Sequence, residues 1–164
     1  MTDFLFALAF WLAAPIWLAL IAAPTRPLTA RIAASPLTVL PILLVYTALA
    51  VPAFPELWTL VTAPDLDKLR DLVAVADGAG AIWAQVIAWD LLIGQWMFLE
   101  ARRLRITPWV MSPLLFLTIL LSPFGLLIFL ALRAARIRRS AAADAWDPAG
   151  HPDPLQEPRP TADA

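Results

Sequence analysis

The sequence predicts an all-α membrane protein: a bundle of four transmembrane helices, with a short amphipathic helix between spans two and three and a disordered C-terminal tail. Three observations carry that expectation. Of the 164 residues, 61% are hydrophobic and 15% charged, and the mean hydropathy is +0.74, too apolar for a soluble globular domain of this size. Four runs with little or no charge, residues 4–23, 36–54, 81–99 and 108–132, are each about 20 residues long, the length that crosses a hydrocarbon core of roughly 30 Å. Arginines cluster after two of them: Arg102, Arg103 and Arg105 follow the third run, and Arg133, Arg136, Arg138 and Arg139 follow the fourth. Clusters so placed anchor helix ends among lipid headgroups, so the lipid bilayer, and not nucleic acid, is the expected partner.

In chain order, the first run has no Lys or Arg ahead of it, carries Asp3 and is longer than the apolar core of a cleaved leader, so it is expected to stay as a span. The connection PTRPLTARIAAS is short and holds Arg26 and Arg31, which makes spans one and two an antiparallel hairpin. The second connection, residues 55–80, is acidic, with Glu56, Asp65, Asp67, Asp71 and Asp77 against Lys68 and Arg70. Within it Thr62 and Asp65 have capping-box spacing with Pro64 in the first turn, and Gly78 can close the far end. Leu66, Leu69, Leu72, Val73 and Ala76 then share one face of a short helix that lies on the membrane surface or caps the bundle, with a solvated loop helix as the alternative. The third run has polar groups on more than one side and is expected to be central.

The fourth run reads as one long tilted helix, with a kink or re-entrant turn at SPFG, residues 122–125, as the alternative. In a four-span bundle the short connections place five Lys and Arg on one side and six on the other, which leaves the orientation undecided. Residues 1–139 form the membrane domain, and the proline-rich residues 140–164 are expected to be disordered. SPLTVLPILL from Ser35 and SPLLFLTILL from Ser112 match at seven of ten positions, the hint of a two-span repeat of the kind that builds some transporters.

Chemistry concentrates on one residue. Asp90 sits midway along the third run, in AWDLLIGQW, where inserting a carboxylate costs roughly 2.5–3.5 kcal/mol and each neighbouring Leu, Ile or Val offsets about 0.3–0.6 kcal/mol. It must therefore face the bundle and find a partner, or carry a proton. Its helical face holds Trp83, Val86, Ile87, Ile93, Gly94 and Met97, and Gly94, one turn on, admits a close neighbour. Gln85 and Gln95 lie roughly 140° away at about 100° per residue. The functional reading makes Asp90 a proton donor or acceptor, or a ligand contact, in a membrane-embedded pocket. The structural reading hydrogen-bonds it to a neighbouring helix through Tyr46, Thr47, Thr118 or Ser122.

Other features point away from common chemistries. The chain has no Cys, which excludes thiol catalysis, iron–sulfur ligation and disulfides, and its single His151 lies in the polar tail, which excludes a bis-histidine haem. No carboxylate pair, nucleophile triad, phosphate loop or metal-ligand cluster is present, so no metal or other cofactor is expected. Trp11, Trp17, Trp58, Trp83, Trp96 and Trp109 fall near run ends, as aromatic belts do. Pro15, Pro41, Pro113 and Pro123 interrupt the runs, and each frees a backbone carbonyl.

The segments PIWLALIAAP (Pro15, Trp17, Pro24), the second-span Tyr46, WAQVIAWDLLIGQW (Trp83, Ala88, Asp90, Gly94, Trp96) and LLSPFGLLIFLALR (Pro123, Gly125, Leu126, Leu127, Arg133) resemble the abscisic-acid-deficient-four-like family, over about residues 6–136. The resemblance implies a small four-span protein. Plant members of that family act in plastids in making neoxanthin from violaxanthin, a carotenoid rearrangement in which an epoxide opens to an allene. On this footing Asp90 is the candidate catalytic group, and Trp83, Gln85, Gly94, Tyr46, Pro123 and Gly125 are candidate binding positions for a carotenoid or other isoprenoid lipid. Gln85 stands where the pattern has a histidine, five residues before the acid, and an amide does not exchange protons at neutral pH, so a two-group relay is not supported.

The Ala- and Arg-rich, lysine-poor composition, with no recognisable transit peptide, points to a multi-pass protein of a bacterial inner (plasma) membrane. Two other function classes stand beside an enzyme. One is a non-catalytic scaffold or complex subunit in which Asp90 is a packing residue; the other is a small transporter, if the repeat is real.

Overall fold

The computed structural model describes residues 1–145, and every regular element among them is helical. Helices α1 (Thr2–Ala22) and α6 (Ala76–Arg103), of 21 and 28 residues, are each long and apolar enough to cross a membrane. They run parallel: Thr2 meets Asp77, Phe6 stacks on Trp83, and Trp17 lies on Gly94. Ala9 and Ala13 of α1 face Ala81, Ala84 and Ala88 of α6 in the same buried cluster, and side chains this small let the two backbones approach closely.

The second apolar run does not form one straight helix. Helix α2 (Pro27–Ala34) and the stretch Pro36–Ala50 meet at a 74° bend, and together they make a third candidate span only if the pair is counted as one. Pro36 causes the bend, because its ring forces Ser35 out of the helical region (φ −97°, ψ 111°) and it has no N–H to donate. A short 3₁₀ turn, Pro36–Val39, leads into α3 (Leu40–Ala50), which runs antiparallel to α6: Thr38 meets Gln95, and Leu49 packs on Gly80. The expected first hairpin is thus present, with α2 folded across its end.

Two short helices fill the second connection. Helix α4 (Phe54–Thr62) is an addition to the expected elements; it starts at the end of the apolar run with Pro55 in its first turn and buries no residue. The amphipathic helix is α5 (Leu66–Ala74), shorter than expected. Asp65 itself caps it, its side chain accepting the Asp67 N–H at 2.7 Å, so the Thr62 capping box is not used. Of the expected apolar face only Leu72 is buried; Leu66, Leu69 and Val73 are exposed. Gly78 does not close this helix either. It belongs to α6, where a Cβ would overlap the Leu72 carbonyl.

The fourth run departs most from expectation. It breaks at Leu121 into α7 (Pro108–Leu120) and α8 (Ser122–Ala145), and α8 turns back beside α7. Gly125 packs on the Thr118 backbone, Trp96 meets Phe129 edge-on at 5.4 Å, and Arg133 reaches Glu100 at 2.8 Å. A helix continuing past residue 121 would carry Arg133 far from Glu100; the hairpin brings it there. Along α6, Asp90 to Glu100 spans roughly 15 Å, and along α8, Ser122 to Arg133 spans about 16 Å, so the two run parallel in matched register. The thirteen residues of α7 extend only roughly 20 Å, less than a hydrocarbon core of about 30 Å. The expectation of four crossing helices is therefore corrected to two clear candidate spans, a bent third, and a hairpin of α7 and α8 in place of a single fourth helix. Helix α8 runs on to Ala145, beyond the expected boundary at residue 139; the rest of the expected tail lies outside the described residues.

The repeat is not a structural one. Ser35 closes α2 and is followed by a 3₁₀ turn, whereas Ser112 lies inside α7 and donates to the Ile21 carbonyl at 2.9 Å.

Candidate functional site

Asp90 stands at the middle of α6 with its side chain half-buried. The polar side chain set against its carboxyl group is Ser122, the first residue of α8, at the tip of the hairpin. Sequence chemistry makes the tip. Pro123 cannot donate an N–H, so the Ile119 carbonyl has no partner four residues on and the helix is weakened where α7 ends. The Leu121 N–H closes α7 on the Leu117 carbonyl at 2.7 Å, and the Leu121 carbonyl accepts from the Phe124 and Gly125 N–H groups, both at 3.0 Å, which starts α8. Gly125 is needed for the return, because any Cβ would strike Thr118.

The tip thus sets the Ser122 hydroxyl, which can both donate and accept, against the Asp90 carboxyl group. A carboxylate there accepts from the Ser122 hydroxyl. A protonated carboxyl donates to an oxygen instead. Support for both protonation states is what proton transfer at such a residue requires.

Two more of the sequence candidates lie along the same stripe of α6. Trp83, two turns before Asp90, stacks on Phe6 with centroids 4.9 Å apart, and its indole Nε1 is buried without a hydrogen-bond partner. Gly94, one turn after, carries the Trp17 indole against its backbone, where a Cβ would overlap the ring. Trp17 is therefore core, only 7% exposed, and not part of an aromatic belt; Trp11, Trp58 and Trp109 are exposed. Pro123 is exposed at the tip and Gly125 buried in it.

Gln85 and Tyr46 stand apart from these. Gln85 is exposed on another face of α6. Tyr46, with Phe54 and Trp58, lines a groove of about 330 Å³ between α3 and α4 whose wall includes no α6 residue. Thr47 and Thr118, expected as possible partners of the acid, donate to the Leu43 and Leu114 carbonyls of their own helices.

Sequence reading passed over two further polar links of α6. Gln95, buried at 3% exposure, donates from Nε2 to the Thr38 hydroxyl at 2.6 Å, and Glu100, at 8%, accepts from Arg133 at 2.8 Å with Arg103 at 3.5 Å. Their signal was available: Asp90, Gln95 and Glu100 are the polar residues of the otherwise apolar stretch 90–101.

With this geometry in view, comparison with known proteins adds one finding. A family model described as ABA DEFICIENT 4-like matches residues 4–129, from α1 into the first part of α8 and so across both Asp90 and Ser122. No curated protein and no solved structure matches the chain. The chain belongs to the ABA DEFICIENT 4-like family, and its apolar helices fit a membrane protein.

Proposed function

We propose that this member of the ABA DEFICIENT 4-like family acts on a carotenoid or another isoprenoid lipid within a bacterial inner membrane, at a site centred on Asp90. Four apolar segments enter the bilayer; α1, the bent α2–α3 unit and α6 cross it, and α7–α8 enters as a re-entrant hairpin. The observation that carries the reading is the placement of Asp90, half-buried midway along α6, against Ser122 at the break between α7 and α8. Irregular backbone at such depth is tolerated only where it lines a protected site, and ionisable residues there are functional by default. Trp89 and Phe124, close in sequence to Asp90 and Ser122, are exposed, which leaves an approach for an apolar molecule from the lipid side.

Opening an epoxide to an unsaturated alcohol needs a proton delivered to oxygen and a proton removed from a neighbouring carbon, while the C–O bond breaks and a C=C bond forms. Asp90 is the ionisable side chain of this site, and Gln85 is neither titratable nor nearby. The chemistry within reach is an isomerisation in which one carboxyl group gives a proton at one position and takes one back from another.

A second reading is favoured by Gln95 and Glu100, whose links to Thr38 and Arg133 are structural. If Asp90–Ser122 is a third link of that kind, the protein is a non-catalytic scaffold or complex subunit. A small transporter has lost its basis, since the two repeat copies fold differently. Asp90→Asn separates the first two, because the amide keeps shape and hydrogen bonding but not the proton. In a deletion strain complemented with this variant, mass spectrometry of lipid extracts should show the product of the wild-type strain falling by about 100-fold or more. Normal protein level with an unchanged lipid profile would establish the scaffold instead.

A further inference from the structure

The hairpin gathers charge. Because α8 returns toward the end of the molecule where α7 began, Arg133, Arg136 and Arg139 come to the same end as the α6–α7 turn and α2, which carry the remaining arginines of the basic clusters. The far end holds Lys68 and Arg70 among Asp65, Asp67, Asp71 and Asp77. Two recesses open at the basic end. One, of about 220 Å³, is walled by Phe98, Ile106 and Met111 with Arg102 and Arg105 at its edge. The other, of about 180 Å³, is walled by Ile106, Val110 and Leu132 with Arg136 and Arg139 at its edge. Ile106 is common to both, so Arg102 and Arg105 line the recess on one side of it and Arg136 and Arg139 the recess on the other.

These arginines differ in how they are held. Arg102 is fixed, donating from Nη1 to the Pro24 carbonyl at 2.7 Å and lying over the Phe98 ring. Arg105 adopts a left-handed backbone (φ 52°), a conformation an arginine enters only at a cost, and this turn sets its side chain at the recess. Among the described residues, Arg105, Arg136 and Arg139 have no carboxylate partner. Cationic groups without protein counter-charges, at the mouths of apolar recesses on a membrane helix bundle, complement a negatively charged headgroup joined to acyl chains.

We infer that this end of the protein binds an anionic phospholipid, its phosphate held between Arg105 and the Arg136–Arg139 pair and an acyl chain lying along Ile106, Val110 and Leu132. The inference does not depend on any chemistry at Asp90. It also fixes orientation: with the hairpin, the basic clusters sit together on one face, and the positive-inside tendency makes that face cytoplasmic.

Native mass spectrometry of the purified full chain, titrated with phosphatidylglycerol and separately with phosphatidylcholine, tests the site. Wild type should retain phosphatidylglycerol in preference, and the triple variant R105Q/R136Q/R139Q should lose that preference by about fivefold for each arginine removed, while K68Q/R70Q keeps it. The single variant R136Q serves if the triple does not fold, with a fall of about fivefold expected. Equal retention of the two lipids by wild type, or an undiminished preference in these variants, overturns the proposal. So does displacement of phosphatidylglycerol by inorganic phosphate alone, which would make it a phosphate site without lipid specificity. The chain has no cysteine, so single-cysteine variants W109C and R138C add an independent arm. Both should react with a membrane-impermeant maleimide from the cytoplasmic side, and reaction from opposite sides would break the composite site.

Discussion

The two halves of α6 solve the same problem by opposite means. Residues buried in its first half are Gly78, Gly80, Ala81, Ala84 and Ala88, all glycine or alanine; those in its second half include Leu91, Gln95, Met97, Phe98 and Glu100. The first half meets α1 and α3 by having almost no side chain, so that contact is backbone-close and continuous. Before the arginines at its end, the second half carries three polar groups: Gln95 and Asp90 face a neighbour at a discontinuity, Thr38 in the 3₁₀ turn and Ser122 at the hairpin tip, and Glu100 pairs with Arg133 on the returning limb. Polar residues on a membrane helix are tolerated where the adjacent helix is broken, because a break supplies hydroxyls and unpaired backbone groups that a regular helix withholds.

The sharpest test of that contrast removes the largest polar link. Glu100→Ala leaves the half-buried Arg133 without its partner, and losing such a charge-assisted hydrogen bond costs about 2–3 kcal/mol. The apparent melting temperature of the detergent-solubilised chain should fall by several degrees, and a variant as stable as wild type would show that the hairpin does not lean on α6. In the first half the vulnerable property is size. Ala84→Leu adds bulk where exposure is 0%, and overpacking there should cost about 2 kcal/mol. Val86→Leu, which adds bulk at an exposed position two residues along the same helix, is the matched control and should leave the melting temperature unchanged.

This contrast also explains what the sequence made legible. Hydropathy located every apolar run, and the first and third became α1 and α6, since nothing in them stops a helix; Pro15 is absorbed inside α1. It could not distinguish a crossing helix from a hairpin in the fourth, because the same apolar residues suit both. The deciding signals were local and weak: Pro123 and Gly125 at the turn, and the arginines that must end near Glu100. Asp90 stood out because a carboxylate amid hydrocarbon is costly, and Ser122 was among its foreseeable partners. Gln95 and Glu100 stood out less, the first being neutral and the second near a run's end. Tyr46 was drawn in as a possible partner of Asp90 and by resemblance, and the fold turns it toward α4, since its place on α3 is set by helical phase and not by chemistry.

The smallest expected effect decides how far the rule extends. Gln95 and Thr38 form a single neutral hydrogen bond, and such bonds between membrane helices average about 0.6 kcal/mol, because polar groups of an unfolded membrane chain find partners too. A double-mutant cycle on Gln95→Leu and Thr38→Val isolates the pair, since each change removes one partner with similar volume. A coupling near 0.6 kcal/mol is expected, measured from the melting temperatures of the four proteins. Coupling indistinguishable from zero would mean that the 3₁₀ turn owes its place to Pro36 alone, with Gln95 following the break instead of holding it. In that case the pairing of polar residues with helix breaks along α6 reflects where breaks permit polar side chains, and only Glu100–Arg133 binds a broken segment to the bundle.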